Sequence, residues 1–439
     1  MKYSVLTFGC RVNQADSLGF EESLRARGAQ SASPEDADVV IVNTCSVTSS
    51  ADQSARQTIR RMARINPSAR IIVTGCYASR RPDEVASLPN VVRVVPNQEK
   101  DRLVGYLTTA ERFGDGEGSC GAAIVPGVAG RTAFTLRVQT GCDEACSYCI
   151  IPSTRGVPRS VPVETVLAEV ARVAAAGFKE VVLTGVHLGS YGEDLTPPAT
   201  LLELLRSLVT AEAESLRSRP RHSEVAADAW GWGPTRVRRA DLLFRISSLE
   251  PMDCSTEMVK LVAERDCFAP HFHLPLQHAS NRLLQAMCRP YTIEQYSALV
   301  DDIRRRIPHA AIGSDIIIGF PGETEKDVVE LLTFLEASPL THLHVFPYSD
   351  RPGTEATGMA GKVPGDLVRE RARRIREVSG RLSARFHAEQ VGRVFRALTI
   401  EDGSLAVTGN YQKLRIPPGL ARNEWIAVRV GEHENWVIG

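Results

Sequence analysis

The sequence predicts an α/β protein in three parts: an N-terminal open parallel α/β sheet domain, a central partial (β/α)6 barrel and a C-terminal small β-barrel. Three observations predict it. Short apolar β-type runs alternate with helical patterns over the first hundred residues, the rhythm of a parallel sheet with helices on both faces. That rhythm resumes near Thr132 and supplies six strand candidates, fewer than the eight of a closed barrel. After Gly392 short strands broken by glycines and by Pro417-Pro418 take over, the pattern of a small β-barrel. A chain of 439 residues has room for this, at ~150 residues per domain.

The elements follow in order. Val5–Phe8, Val39–Val42 and Ile71–Val73 are short β-type runs and read as buried strands. The Gly-rich stretch from Phe113 to Gly121 reads as a linker, so the first domain is expected over residues 1–120. The second, over 128–365, takes its strands from Phe134–Gln139, Glu180–Thr184, Leu243–Ser247, His271–Leu274, Ile312–Ile318 and His342–Phe346. Amphipathic stretches such as Val163–Ala176 and Thr324–Ala337 supply the intervening helices. Between Ala211 and Ala240 the pattern is lost; Arg217, Arg219, Arg221, Arg236, Arg238 and Arg239 stand beside Trp230 and Trp232. We read this stretch as a surface insertion, with a substrate-contacting flap as the alternative. The Arg-rich stretch Gly365–Gln390 reads as helix. The third domain, 380–439, takes its strands from Val394–Ile400, Leu405–Thr408, Lys413–Ile416 and Trp425–Val430.

Composition narrows the function. The 52 basic residues balance the 52 acidic ones, which argues against a globally basic nucleic-acid coat protein but leaves room for local patches. At 43% hydrophobic and 24% charged residues, the chain is globular rather than disordered. No apolar run approaches the ~18 residues of a membrane span. Met1–Phe8 is interrupted too soon, by Gly9, Arg11 and Asn13, to serve as a signal peptide. A cytoplasmic enzyme with no membrane partner is expected, and its ten cysteines then read as thiols or metal ligands rather than disulfides. The seven arginines between Gln53 and Arg81 meet no acid, and nine basic residues face four acids between Lys362 and Arg393. Either run suits phosphate tracking. A solvated helix face is the plainer alternative, because only seven of the basic residues in the chain are Lys and the rest Arg.

The chemistry lies in the cysteines. Cys142, Cys146 and Cys149 share one loop directly after a predicted strand, where barrel enzymes place their reactive groups. Three thiolates there can hold a 4Fe–4S cluster with one iron open to a chelating substrate. A zinc site that borrows a fourth ligand from elsewhere is the alternative. Cys10, Cys45 and Cys76 each follow a predicted strand by one to three residues, so they line up at the carboxyl edge of an open α/β sheet. They are either convergent ligands or buried core thiols. Gly9 and Gly75 allow close approach of the backbone to a bound group. Cys120, Cys254, Cys267 and Cys288 show no ligand spacing. His271/His273 and His342/His344 are two apart on predicted strands, so each pair shares a face. They read as hydrogen-bonded barrel-interior residues, with metal ligation as the alternative.

Cys142-x3-Cys146-x2-Cys149 resembles the radical S-adenosylmethionine (SAM) motif. Gln139-Thr-Gly-Cys142, Cys149-Ile-Ile-Pro152, Arg155-Gly156 and Arg159-Ser160 resemble its methylthiotransferase branch. So do Gly9-Cys10-Arg-Val-Asn13, Asn43-Thr44-Cys45 and Gly75-Cys76-Tyr77-Ala78, in the right order over almost the whole chain. The segments Leu183–Gly192, Ser247–Pro251, His273–His278, Asp315–Thr324 and Phe346–Ser349 resemble most the branch acting on threonylcarbamoyladenosine in tRNA. The β-rich C-terminal segment, with Thr408-Gly-Asn-Tyr411, looks like that family's RNA-binding TRAM domain. The insertion at 211–240 departs from the family pattern.

The resemblance implies two 4Fe–4S clusters, with SAM as co-substrate. A cluster on Cys142, Cys146 and Cys149 binds SAM and cleaves it to methionine and a 5′-deoxyadenosyl radical. A second, on Cys10, Cys45 and Cys76, supplies the sulfur. The product is a methylthio group at C2 of N6-threonylcarbamoyladenosine at tRNA position 37. A C–H bond of this kind yields to a radical rather than to any side-chain base, so the cofactor carries the hard step. By the same resemblance Gly185, Val186 and His187 meet the methionine end of SAM, and Glu250, Gln277 and Gly319 its ribose and adenine. The implied partners are the tRNA anticodon stem-loop, an electron donor and a sulfur source. The alternatives are methylthiolation of isopentenyladenosine or of a ribosomal-protein aspartate and, from another class, a metal-bearing RNA-binding regulator without turnover.

Overall fold

The computed structural model describes residues 1–107, 124–126, 132–218, 241–432 and 435–438. The expected linker and Cys120 fall outside the described residues, as does the insertion beyond residue 218 with both of its tryptophans. The chain forms two compact units. The first joins Met1–Ile124, Gln139–Arg159 and Ser349–Gly358; the second joins Val125–Val138, Ser160–Tyr348 and Met359–Gly439.

The chain begins with β1 (Lys2–Thr7), α1 (Arg11–Ala26), β2 (Gln30–Ser31), β3 (Val39–Thr44), α2 (Ser49–Ile65) and β4 (Arg70–Gly75). The short helices α3 (Cys76–Arg80) and α4 (Pro82–Ala86), then β5 (Val91–Val95) and a 3-10 segment, Asn97–Tyr106, complete the run. The sheet is parallel, in the order β2-β1-β3-β4-β5. Its central strands alternate strictly in what they bury, because successive side chains leave a strand on opposite faces. Val40, Val42, Ile71 and Val73 pack with Ala55, Ile59 and Met62 of α2. Val39, Ile41 and Ile72 pack with Phe20 and Leu24 of α1 and with Leu103. Burial on both faces is why these strands read as continuous apolar runs in sequence. The edge strands β2 and β5 were not among the expected strands; both are largely exposed, so neither carries that signature.

After β6 (Phe134–Arg137) come β7 (Gln139–Thr140), α5 (Ile151–Arg155) and β8 (Arg159–Ser160) around the cysteine loop. The second unit continues through α6 (Val163–Ala175), β9 (Glu180–Thr184), α7 (Leu201–Ser218), β10 (Leu243–Ile246) and α8 (Thr256–Glu264). Next are β11 (His271–His273), α9 (Asn281–Ala286), α10 (Ile293–Arg306), β12 (Ala311–Ile318), α11 (Glu325–Ala337) and β13 (His342–Pro347). Two parallel three-stranded sheets, β6-β9-β10 and β11-β12-β13, are joined by the parallel bridges Phe244–Phe268 and Ser248–His273. The result is the expected six-stranded open barrel. Its helices start where side chains satisfy the free amides of the first turn: Thr292 with Gln295 and Thr324 with Asp327 form reciprocal capping boxes.

The long α12 (Gly365–Ala388) leads to β14 (Val394–Ile400), β15 (Leu405–Thr408), β16 (Lys413–Arg415), β17 (Trp425–Arg429) and β18 (Trp436–Ile438). They form an antiparallel sheet, order β16-β15-β14-β17-β18, curled over Ala397, Ala406, Leu414, Ile416, Val428 and Val430. The two edges meet where Asn435 Nδ2 donates to the Arg415 carbonyl at 3.1 Å. This sheet is anchored on the barrel by Arg245, which has no solvent exposure. Its Nε donates to Glu180 at 2.7 Å and its Nη1 to the Gly409 carbonyl at 2.9 Å, while Tyr411 stacks on the guanidinium.

Candidate functional site

In the first unit, Cys10, Cys45 and Cys76 stand at the carboxyl ends of β1, β3 and β4. Cys10 is exposed and caps α1; Cys45 and Cys76 are buried, and Cys76 opens α3. Gly9 and Gly75 let these ends close up. Gly9 has φ +87°, and a Cβ there would lie 2.5 Å from both Cβ and Sγ of Cys45. Gly75 has φ +97°, and a Cβ there would collide with the Thr44 backbone. The three thiols are close enough for Cys10 and Cys76 to act on Cys45. Burial pushes Cys45 up to about 11, and the neighbouring Cys10 and Cys76 add to the rise.

A polar lattice that the sequence did not announce underlies these thiols. Asn13 ties two strand ends together, donating to the Phe8 carbonyl at 2.8 Å and the Thr44 carbonyl at 2.9 Å. Its Oδ1 accepts from Arg155 Nη2 at 2.6 Å and from Lys100 Nζ at 3.3 Å. Lys100 also pairs with Asp16 at 2.7 Å, both side chains buried, and Arg155 lies 3.6 Å from the same carboxylate. Burial holds Lys100 below its ordinary value. Burial also opposes the charge on Arg155, but Cys76, Asp16 and Cys10 outweigh it and hold its pKa up. Asn97 Nδ2 faces Cys76 Sγ at 3.6 Å. Two buried cations against one carboxylate leave a positive surplus beside this cysteine set. Asn13 and Arg155 stood in the quoted motifs; Asp16, Asn97 and Lys100 carried no spacing signal, because only the fold brings residue 100 to residue 16.

Cys142, Cys146 and Cys149 lie in the same unit, all partly exposed. Gly141, at φ +81°, passes against the Val157 backbone, and Cys142 N–H donates to the Gly156 carbonyl at 3.0 Å. The loop is closed at its base by these contacts and held further along by Ala356 N–H on the Ser147 carbonyl at 2.8 Å. Ile151 N–H points at Cys149 Sγ at 3.4 Å, the kind of donor that steadies a thiolate and tunes a cluster. Helix α5, which follows Cys149, packs against α3, which begins at Cys76. Asn97 Nδ2 to the Thr154 carbonyl at 2.9 Å and Arg155 to Asn13 tie the two cysteine sets into one framework.

The donor chemistry suits iron–sulfur clusters. A zinc ion with sulfur ligands at about 2.3 Å would draw its thiolates within about 4 Å of one another. Among the described residues no cysteine set brings three sulfurs within 4.8 Å; the one group that meets this limit is His273, Asp315 and His344. More widely spaced thiols would suit a larger iron–sulfur group, the first set with buried cations beside it, and three thiolates in a set would leave one of four irons without a cysteine.

In the second unit the residues expected to meet SAM stand at the carboxyl ends of successive strands. Gly185, Val186 and His187 follow β9, Glu250 follows β10, Gln277 follows β11 and Gly319 follows β12. His187 Nε2 lies 2.9 Å from Asp253. Glu250 pairs with Arg289, and burial holds its pKa up against that pairing. His187 and Glu250 are close enough to feel each other's charge. Gln277 has φ +65°, unusual for a side-chain-bearing residue. Its backbone is pinned by Gln277 N–H to the Asp315 carbonyl at 2.8 Å and Ile317 N–H to its own carbonyl at 2.9 Å. Gly319 N–H is already taken by Glu323 at 2.7 Å, so this position offers its carbonyl and its lack of a side chain.

Of the four histidines, His273, His342 and His344 hydrogen-bond through their rings, with Asp315 between His273 and His344, while the buried His271 stacks on His342 and His344 is largely exposed. The basic runs are partly spent internally. Arg80 pairs with the buried Asp52, which also takes Arg351 from outside both runs, and Arg371, Arg374 and Arg381 are committed to Glu323, Glu325 and Glu336.

Comparison with known proteins places this arrangement. The model described as "Radical SAM superfamily" matches residues 136–335, and one described as "Uncharacterized protein family UPF0004" matches residues 2–96. The fold agrees: the radical S-adenosylmethionine methyltransferase TsrM from Kitasatospora setae superimposes with a TM-score of 0.55 at 15% identity, over 81% of this chain and 73% of that one. The protein is therefore a radical SAM enzyme, a class that works with an iron–sulfur cluster and SAM.

A protein of Aquifex aeolicus named threonylcarbamoyladenosine tRNA methylthiotransferase MtaB is 37% identical over 423 residues, 94% of this chain and 95% of that protein. A protein of the same name from Bacillus subtilis is 32% identical, over 93% and 88%. The chain belongs to the radical SAM methylthiotransferase family. No helix among the described residues is long and apolar enough to cross a membrane.

Proposed function

We propose that this enzyme places a methylthio group on C2 of N6-threonylcarbamoyladenosine at tRNA position 37, using two 4Fe–4S clusters. Cys142, Cys146 and Cys149 hold the one that engages SAM, and Cys10, Cys45 and Cys76 hold the one that supplies sulfur. The observation that carries this reading is the pair of three-cysteine sets in one compact unit, tied together through Arg155. The choice of nucleoside is supported by the names of the full-length relatives.

When bound, the clusters and SAM supply the one-electron cleavage and the sulfur. The chain's own residues do the rest. Lys100 and Arg155 balance the charge of the first cysteine set, and Asn97 aims its amide at Cys76. The Ile151 amide steadies Cys149. His187, held by Asp253, and Glu250, held by Arg289, present fixed polar groups to the methionine and ribose ends of SAM, with Gln277 and Gly319 beside its adenine. In this reading residues 1–120 carry the auxiliary cluster, 128–365 the barrel, and 380–439 an RNA-binding TRAM-like part that grips the anticodon stem-loop. Turnover then needs an electron donor and a sulfur source in the cytoplasm.

The test is mass spectrometry of nucleosides from total tRNA with and without the gene. Loss of the methylthio group from threonylcarbamoyladenosine alone, with its precursor accumulating, is expected. Loss from isopentenyladenosine instead would move the substrate. An unchanged tRNA profile would overturn the tRNA assignment and point to the ribosomal-protein aspartate. In the purified enzyme, Cys146→Ala should abolish SAM cleavage, whereas Cys45→Ala should spare it and stop sulfur transfer.

A further inference from the structure

The barrel interior holds a second kind of donor set, remote in sequence from every cysteine assigned above. Strand pairing fixes it. Asp315 on β12 is directly opposite His344 on β13, and His273 on β11 is opposite Gly313, two residues back on the same face of β12. Three side chains from neighbouring strands therefore converge. His273 Nε2 lies 2.9 Å and His344 Nδ1 3.2 Å from the same carboxylate oxygen, Asp315 Oδ1. All three ligand atoms lie within 4.8 Å of one another.

We infer that His273, Asp315 and His344 form a binding site for a divalent transition-metal ion, zinc or ferrous iron. Two imidazoles and one carboxylate are the donors these ions take, with coordination positions left open. A tetrahedral zinc with ligands at about 2.0 Å holds them about 3.3 Å apart, close to the spacing of both imidazoles from the carboxylate.

The surroundings are arranged for it. Gly313 leaves space for the imidazoles: a Cβ there would lie 2.5 Å from His342 Cε1 and 2.9 Å from His273 Nδ1. A glycine inside a strand marks such a close approach. Behind the set, His342 accepts or donates at Thr341 Oγ1, 3.0 Å away. The site carries one formal negative charge and opens on one side, where His344 is 57% exposed. An open position there takes water or an oxygen of a bound substrate.

Zinc binding to the anaerobically reconstituted enzyme tests this, because the cysteine sets are then occupied by clusters. After equilibration with zinc chloride and gel filtration, metal per chain is measured by plasma mass spectrometry. About one zinc per chain is expected in addition to the iron, with anomalous scattering at the zinc edge on Asp315. His344→Ala, Asp315→Asn and His273→Gln should each weaken zinc binding at least tenfold and leave iron per chain unchanged. His344 is largely exposed, so its removal does not threaten folding. No retained zinc, or retention equal in wild type and all three variants, would overturn the assignment.

Discussion

Arg155→Met is the perturbation that bears most directly on how the two cysteine sets depend on each other. The side chain is 3% exposed, donates to Asn13 at 2.6 Å and lies 3.6 Å from Asp16. Removing one partner of a buried ion pair costs about 3–5 kcal/mol when the other is left alone. Here Asp16 keeps Lys100 at 2.7 Å. The loss is then nearer that of one charged hydrogen bond, about 2–3 kcal/mol. It falls on the first cysteine set, because Cys76 and Cys10 lie within reach of the Arg155 charge. A loss of this size weakens the hold on a cluster there by roughly 30- to 150-fold. The assay is iron and sulfide per chain after anaerobic reconstitution and a chelator challenge, with SAM cleavage read in parallel. The variant should lose about half of its iron quickly and keep SAM cleavage. Arg155→Lys should fall between, keeping the charge but not the forked donor. Retention of all iron at the wild-type rate, with an unchanged melting curve, would refute the reasoning.

Other variants probe the same framework. Gly9→Ala carries a left-handed penalty of about 1–2 kcal/mol and drives a methyl group into Cys45. Iron loading should fall while SAM cleavage persists; normal loading would remove the need for glycine there. Arg245→Met leaves Glu180 buried without its partner and should cost about 3–5 kcal/mol in urea unfolding. Adding Glu180→Gln should recover part of that, and no recovery would mean that Arg245 acts by shape alone. Burial holds His278 at about 4, below its unfolded 6.5. The unfolded chain therefore binds more protons between those values, and stability present above pH 6.5 falls as pH drops towards 4, by up to about 3 kcal/mol. His278→Gln should flatten that part of the pH–stability curve; an unchanged slope would place the acid sensitivity elsewhere.

The central strands were legible because burial on both faces leaves a run such as Val39–Val42 with no polar interruption. All six barrel strands were placed within about a residue or two at each end, since each pairs a short apolar core with a polar turn at its end. Strands β2, β5 and β18 escaped notice because edge strands bury little and so carry little pattern. Charge was the least legible quantity. The acid-free run from Gln53 to Arg81 looked like a free cationic face, yet Arg80 turns inward to Asp52 and Arg56 pairs with Glu84. Composition counts charges without their partners, and the partners here lie 28 residues away.

The sequence by itself determined the order of the elements, the strand-end placement of the cysteines and, through their motifs, the family. Each of these is a local property, set by a periodicity, a spacing or a glycine. Tertiary structure alone decided that Lys100, Asp16, Asn13 and Arg155 form one buried lattice beneath the first cysteine set. It alone made Asp315 the common partner of His273 and His344. Both depend on strand register and on which residues lose their water together. Buried charges find partners because desolvation makes solitude costly, and which partner each finds is set by the fold, not by the distance along the chain.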